Sequence, residues 1–106
     1  MGRHQKYFEY DVFLLVKSEC LAYINRCRVI DTGRADKELI NGYAFLNEKF
    51  DAAVSFLEKR ERIELINDIA YGYGWCRSQL ISCMGMDTYK FHKRSFIAAV
   101  AKMLGE

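Results

Sequence analysis

Proline is absent from the whole 106-residue sequence. At the average usage of about 5%, a chain of this length would contain about five. Because proline interrupts the hydrogen bonding of a helix interior, its absence favours long unbroken helices. No segment has the strict alternation of apolar and polar residues that marks a half-buried strand. A chain of this length can form one hydrophobic core but not two. The sequence therefore predicts an all-α fold, a single helical domain of about five helices.

Apolar residues that recur every three or four positions place these helices along the chain. They are predicted at about residues 7–29, 35–57, 60–71, 75–84 and 88–104. Ile63, Ile66 and Ala70 are expected on the inner face of the third helix. Gly85 is expected to end the fourth helix with a positive φ, and Asp87 to cap the fifth.

The charge and cysteine patterns limit the classes of function. Residues 1–34 carry six Lys/Arg and four Asp/Glu, residues 35–74 carry five and eight, and residues 75–106 carry five and two, so an acidic middle separates two basic ends. The cysteines form two pairs, Cys20/Cys27 and Cys76/Cys83. Their seven-residue spacing places each pair on one helix face, which predicts buried thiols, with no disulfide and no metal site.

Other chemical motifs are missing from the sequence. His4 and His92 complete no metal-ligand cluster, and no cofactor is predicted. The acidic residues of the middle segment are expected to be solvated rather than catalytic; they are Asp36, Glu38, Glu61 and Glu64. The sequence therefore predicts no enzyme. The apolar run at residues 13–16 is too short for a membrane span or a signal peptide, so we expect a cytoplasmic protein that does not bind membranes.

A basic cluster opens the last predicted helix, where Lys90, Lys93 and Arg94 fall within an arc of roughly 100° at 100° per residue. The preceding Met84-Gly85-Met86 turn and short helix complete the order of a C-terminal helix-turn-helix. In such a motif the second helix enters the DNA major groove. Trp75 is interpreted as a core or helix-stapling residue, with a stacking platform for nucleic acid as the alternative.

Residues 57–106 resemble the C-terminal half of phage late-gene transcription activators of the ArpU/RinA type, which is similar to region 4 of sigma factors. The matching segments are Glu58-Lys59-Arg60-Glu61-Arg62, Tyr71-Gly72-Tyr73, Met84-Gly85-Met86-Asp87, Tyr89-Lys90-Phe91-His92-Lys93-Arg94-Ser95-Phe96 and Val100-Ala101-Lys102-Met103-Leu104-Gly105-Glu106. The resemblance implies a phage-encoded regulator of late genes, acting in a bacterial host cell. Residues 58–106 would bind double-stranded DNA, and residues 1–57 would form a homodimer or contact RNA polymerase.

Seven residues are candidates for DNA contacts in this hypothesis. Arg77 and Ser78 would anchor the sugar-phosphate backbone, and Lys90 would contact phosphate. Thr88 and Tyr89 would meet base edges or thymine methyl groups. Lys93 and Arg94 would contact phosphate or guanine, and their joint replacement by alanine is expected to leave the melting temperature nearly unchanged.

Two alternatives compete with a transcription regulator. One is a small helical protein-interaction module that never binds DNA, with Tyr73, Trp75 and Tyr89 as its binding hot spot. The other is a DNA-packaging recognition subunit that uses the same motif inside a ring oligomer. Phe13, Leu14, Tyr43 and Phe45 exceed what one inner stripe needs, and this excess predicts that the first two helices pair with a partner.

Overall fold

The fold is known from a computed structural model, which describes residues 2–78, 80 and 83–105, with side chains from residue 10 onward. The described residues form five helices and no strand, so the all-α prediction is confirmed. The helices are α1 (Gly2–Thr32), α2 (Lys37–Ala53), α3 (Lys59–Tyr71), α4 (Gly74–Arg77) and α5 (Met86–Met103). The side chain of His4 lies outside the described residues. No helix in the described part of the chain combines the length and hydropathy that a membrane crossing needs.

One hydrophobic core joins the N-terminal and C-terminal halves of the chain. The Tyr23 ring of α1 lies 4.5 Å from the Phe50 ring of α2, and Phe50 meets Phe96 of α5 edge-on at 5.9 Å between centroids. Phe50 and Phe96 are fully buried, as is Leu65 of α3. Residues 1–57 and 58–106 therefore share a single core.

The inner face of α3 differs in part from the prediction. Ile66 and Ala70 are buried as expected, but Ile63 is 48% exposed. Leu65 and Ile69 occupy the centre of the buried face instead. At 100° per residue, Ile63 lies about 160° around the helix from Leu65, and so it cannot share that face.

Of the predicted fourth helix, residues 75–84, the structure shows α-helix only over residues 75–77, and residues 79, 81 and 82 lie outside the described part of the chain. Helix α4 is a single turn, and Ser78 after it has extended backbone angles (φ −79°, ψ 155°). The Ser78 hydroxyl donates to the Trp75 carbonyl at 3.0 Å and accepts from the Leu80 amide at 3.1 Å. Such side-chain bonds to the backbone compete with helix continuation. The predicted helix-turn-helix is therefore not confirmed.

The start of α5 also corrects the prediction. The helix begins at Met86, with Gly85 as its N-cap residue at φ −68° and ψ 157°, so Gly85 does not have a positive φ. Asp87 lies inside the first turn and does not cap it, although its negative charge still suits the positive end of the helix dipole. The left-handed glycines of this region are Gly72, which ends α3, and Gly74, both with φ of 72°.

The prediction that all four cysteine thiols are buried is correct for Cys20 alone. Cys20 is buried and Cys27 is half-buried, but Cys76 and Cys83 are exposed. The spacing argument fails for the second pair because the chain leaves the helix at Ser78. Cys76 and Cys83 consequently do not lie on one helix face.

Candidate nucleic-acid interface

Asp68, near the end of α3, organises the surface that carries the basic cluster. Its side chain is 3% exposed. One carboxylate oxygen accepts from the Gly74 amide at 2.9 Å, and the other accepts from the Tyr89 hydroxyl at 2.5 Å. The second oxygen also lies 3.1 Å from the Lys93 ammonium group. A single carboxylate thus fixes the loop after α3 and the first turns of α5 against each other.

Tyr89 is not available to contact a base, and this candidate assignment is wrong. The residue is 2% exposed, and its hydroxyl donates to Asp68. Burial, and then the hydrogen bond to Asp68, raise the pKa of the Tyr89 phenol far above its usual range. Tyr89 shares its helix face with Phe96 and Val100, which are also buried. The side chain therefore belongs to the core, and it drops out of the predicted hot spot as well.

Lys93 lies on the inner edge of the predicted basic arc. Only 29% of its side chain is exposed, and its ammonium group pairs with buried Asp68. The expectation that Lys93 is a freely exposed cation is therefore wrong. Because removing Lys93 would leave the Asp68 charge buried without this partner, its replacement would destabilise the fold.

Lys90 and Arg94 are exposed on the outer face of α5. Neither has an ion-pair partner within the described part of the chain. With Lys93, they line a surface groove of about 410 Å³ whose apolar wall is Phe13 of α1 and Ile97 of α5. The outer face also carries Phe91, which is 60% exposed and was not among the predicted contact residues.

The remaining candidates divide into exposed and buried residues. Thr88 is exposed at the first turn of α5, and Arg77 is exposed with its guanidinium carbon 5.5 Å from the centre of the Tyr73 ring. Ser78 is 5% exposed and its hydroxyl already bonds within the loop, so its assignment as a contact to the DNA backbone is wrong. Trp75 is half-buried against the core, and its indole nitrogen donates to the Met84 carbonyl at 2.8 Å. Its packing agrees with the interpretation as a core residue, and the alternative of a stacking platform stays a prediction.

A second polar contact lies on the other side of α5. His92 Nδ1 lies 2.7 Å from a Glu61 carboxylate oxygen, so His92 points away from the basic arc. Glu61 is 9% exposed, and the expectation that it is solvated is wrong. Within the described residues, no group of histidine, cysteine and acidic side chains is arranged to hold a metal ion.

Asp68 and Glu61 are the two organising residues that sequence reasoning missed. A detectable signal existed for Asp68. A carboxylate near the C-terminal end of a helix opposes the helix dipole, and Asp68 is adjacent to the buried residues Ile69 and Ala70. An acidic residue in such a position requires partners, which this structure supplies from the loop and from α5.

Comparison with protein-family models, with curated proteins and with solved structures finds no match to this chain. The likeness to phage late-gene activators therefore rests on the motif residues alone.

Proposed function

We propose that this chain binds double-stranded DNA through the outer face of α5. The observation that carries the proposal is the exposure of Lys90 and Arg94 on adjacent turns without ion-pair partners among the described residues. Unpaired cations on one face of a helix attract the phosphates of a duplex and release its counterions. The neighbouring Arg77 extends the positive surface toward α4.

The set of contact residues differs from that predicted from sequence. Lys90, Arg94 and Arg77 supply contacts to phosphate or guanine, and Thr88 remains a candidate for base contacts. Phe91 takes the apolar role first given to Tyr89, because an exposed phenylalanine can contact a thymine methyl group. Lys93 and Tyr89 instead fix the orientation of α5 through Asp68.

The biological role that best fits this surface is transcription regulation. The resemblance of residues 57–106 to phage late-gene activators favours a phage regulator that works in the bacterial cytoplasm. One such surface contacts only a few base pairs, so specific binding favours a homodimer. RNA polymerase contact and a packaging ring remain alternatives within the same DNA-binding proposal.

The test is a pair of double variants with the same change in charge. Replacing Lys90 and Arg94 by alanine should weaken duplex binding, measured by fluorescence anisotropy, because two phosphate contacts are lost; a guanine contact of Arg94 would add about 1–3 kcal/mol to the loss. Replacing Lys37 and Lys49, two exposed lysines of α2, should leave the affinity within about twofold of wild type. Equal affinity of wild type and the Lys90/Arg94 variant would contradict the proposal.

A protein partner is the second candidate, and exposed aromatic residues favour it. Phe45 is 61% exposed, as expected, and Leu14 is 41% exposed, whereas Phe13 and Tyr43 are half-buried. Tyr10 is also 60% exposed. Light scattering distinguishes the partners: a dimer at micromolar concentration supports self-association through α1 and α2, and a monomer at high concentration excludes it.

A further inference from the structure

We infer that the cavity between the α3–α4 loop and α5 binds an unpaired nucleobase together with its phosphate. The inference rests on the proposed function, because Lys90, which lines this cavity, belongs to the proposed DNA-binding surface. It goes further in naming an unstacked base as the ligand. Duplex binding through the outer face of α5 does not require this cavity.

The cavity has the size and the walls that such a ligand requires. Its volume is about 400 Å³, within the range of about 300–1,000 Å³ that small-molecule sites occupy. Tyr73, Trp75 and Met86 provide apolar and aromatic walls, and Lys90 and Lys93 line the same cavity. Aromatic side chains that stack on bases, combined with cations that follow the phosphates, are the two components of single-strand binding sites.

The aromatic wall is held in place before any ligand binds. The Trp75 indole is fixed by its hydrogen bond to the Met84 carbonyl, and the intervening Gly74 amide is fixed by Asp68. The Tyr73 ring lies 5.4 Å from the Tyr71 ring, with the Arg77 guanidinium against it. Because these groups are already ordered, little side-chain entropy is lost when a base stacks between them.

The charge of the cavity favours a phosphorylated ligand over a neutral aromatic one. Lys90 is exposed without an ion-pair partner in the described residues, and Lys93 contributes a partly exposed ammonium group. The Asp68 carboxylate beneath them is already bonded to Gly74, Tyr89 and Lys93. The base therefore fits against Tyr73 and Trp75, and its phosphate fits beside Lys90.

The single tryptophan of the chain makes the inference directly measurable. A short oligo-dT strand should quench Trp75 fluorescence, because the base stacks on or beside the indole. An abasic strand with the same phosphates should bind without this quenching, and a blunt duplex should bind without it as well. Quenching by free dTMP at the same affinity as the strand would assign the site to a nucleotide, whereas much tighter strand binding would assign it to single-stranded DNA.

Two further readouts locate the base in the cavity. Tyr73→Leu keeps an apolar support for Arg77 but removes the aromatic face, and it should weaken single-strand binding about 5- to 150-fold. Its matched control, Phe45→Leu on α2, should not change the affinity. Bound oligo-dT should also slow iodoacetamide labelling of Cys76, which lines this cavity, but not of Cys83, which lines a different one.

The outcomes separate this inference from the proposed function. If the abasic strand quenches Trp75 as strongly as oligo-dT, or if Tyr73→Leu binds single strands like wild type, the base is not in the cavity and the inference is wrong. If the duplex binds while oligo-dT leaves Trp75 fluorescence unchanged, only the inference fails. If neither nucleic acid binds at low salt, both fail. The abasic comparison uses the unaltered chain, so it stays decisive even if Tyr73→Leu does not fold.

Discussion

Replacing Asp68 by asparagine should lower stability without lowering affinity for DNA. The buried carboxylate accepts hydrogen bonds from the Tyr89 hydroxyl and the Gly74 amide and pairs with Lys93. Asparagine keeps one carbonyl oxygen, which can still accept from Gly74. The uncharged NH2 group that replaces the second oxygen faces two donors, the Tyr89 hydroxyl and the Lys93 ammonium group.

The expected cost follows from the two contacts that are weakened. A hydrogen bond to a charged acceptor contributes about 1.5–3 kcal/mol, which applies to the buried Tyr89 hydroxyl. The Lys93 pair contributes at most about 1 kcal/mol, because that ammonium group can turn to solvent. Asp68→Asn should therefore lower the free energy of unfolding by about 2–4 kcal/mol, which at roughly 4 °C per kcal/mol lowers Tm by about 8–16 °C.

The assay is urea and thermal unfolding followed by circular dichroism. The control is Asp87→Asn, which removes an exposed carboxylate from the first turn of α5 and should cost only its interaction with the helix dipole, about 0.3–1 kcal/mol. Combining Asp68→Asn with Tyr89→Phe should cost less than the sum of the two single changes, because both remove the same bond.

Below its melting temperature, Asp68→Asn should bind duplex at least as tightly as wild type, since it removes a negative charge near Lys93. Wild-type Tm for Asp68→Asn would refute the assigned role of Asp68, and additive costs would refute the Tyr89 contact.

Two other predictions concern stability. Burial raises the pKa of the Cys20 thiol from 9.0 to about 12. As pH rises between these two values, the thiol loses its proton in the unfolded chain but keeps it in the folded one. The free energy of unfolding should therefore fall with rising pH in this range, by up to about 1.4 kcal/mol per pH unit. Urea unfolding across this window should show a shallower decline for Cys20→Ala, and an unchanged slope would contradict the burial of the thiol. Gly72→Ala should lower the free energy of unfolding by about 1–2 kcal/mol, because Gly72 has a left-handed φ of 72°. Gly42→Ala should raise it by about 0.5–1 kcal/mol, because Gly42 lies within α2 with open space around it. Thermal melts in which Tm shifts in the same direction for both variants would contradict these backbone assignments.

Helical periodicity predicted the class of fold and part of the core. The proline-free sequence and the spacing of three and four predicted about five helices, and Ile66 and Ala70 lie inside as expected, whereas Ile63 does not. The same periodicity could also have corrected the assignment of Tyr89. Tyr89 precedes Phe96 by seven residues and Val100 by eleven, and these spacings place all three on one face of α5.

The rest of the site depends on tertiary contacts that periodicity does not encode. Lys93 falls within the basic arc on a helical projection, but its environment is decided by Asp68, 25 positions earlier on another helix. The end of α4 depends on the Ser78 hydroxyl bonding to backbone groups on both sides. The environment of Lys93 requires the relative placement of α3 and α5, and the end of α4 requires a choice between local hydrogen bonds; the spacing of apolar residues encodes neither.

The salt dependence of duplex binding tests the central proposal most directly. If Lys90, Arg94 and Arg77 each neutralise one phosphate, the logarithm of the association constant should fall against the logarithm of salt concentration with a slope of about −2.7. The Lys90→Ala/Arg94→Ala variant should bind with a slope of about −0.9. A wild-type slope near zero, or equal slopes for wild type and variant, would contradict duplex binding by this face of α5.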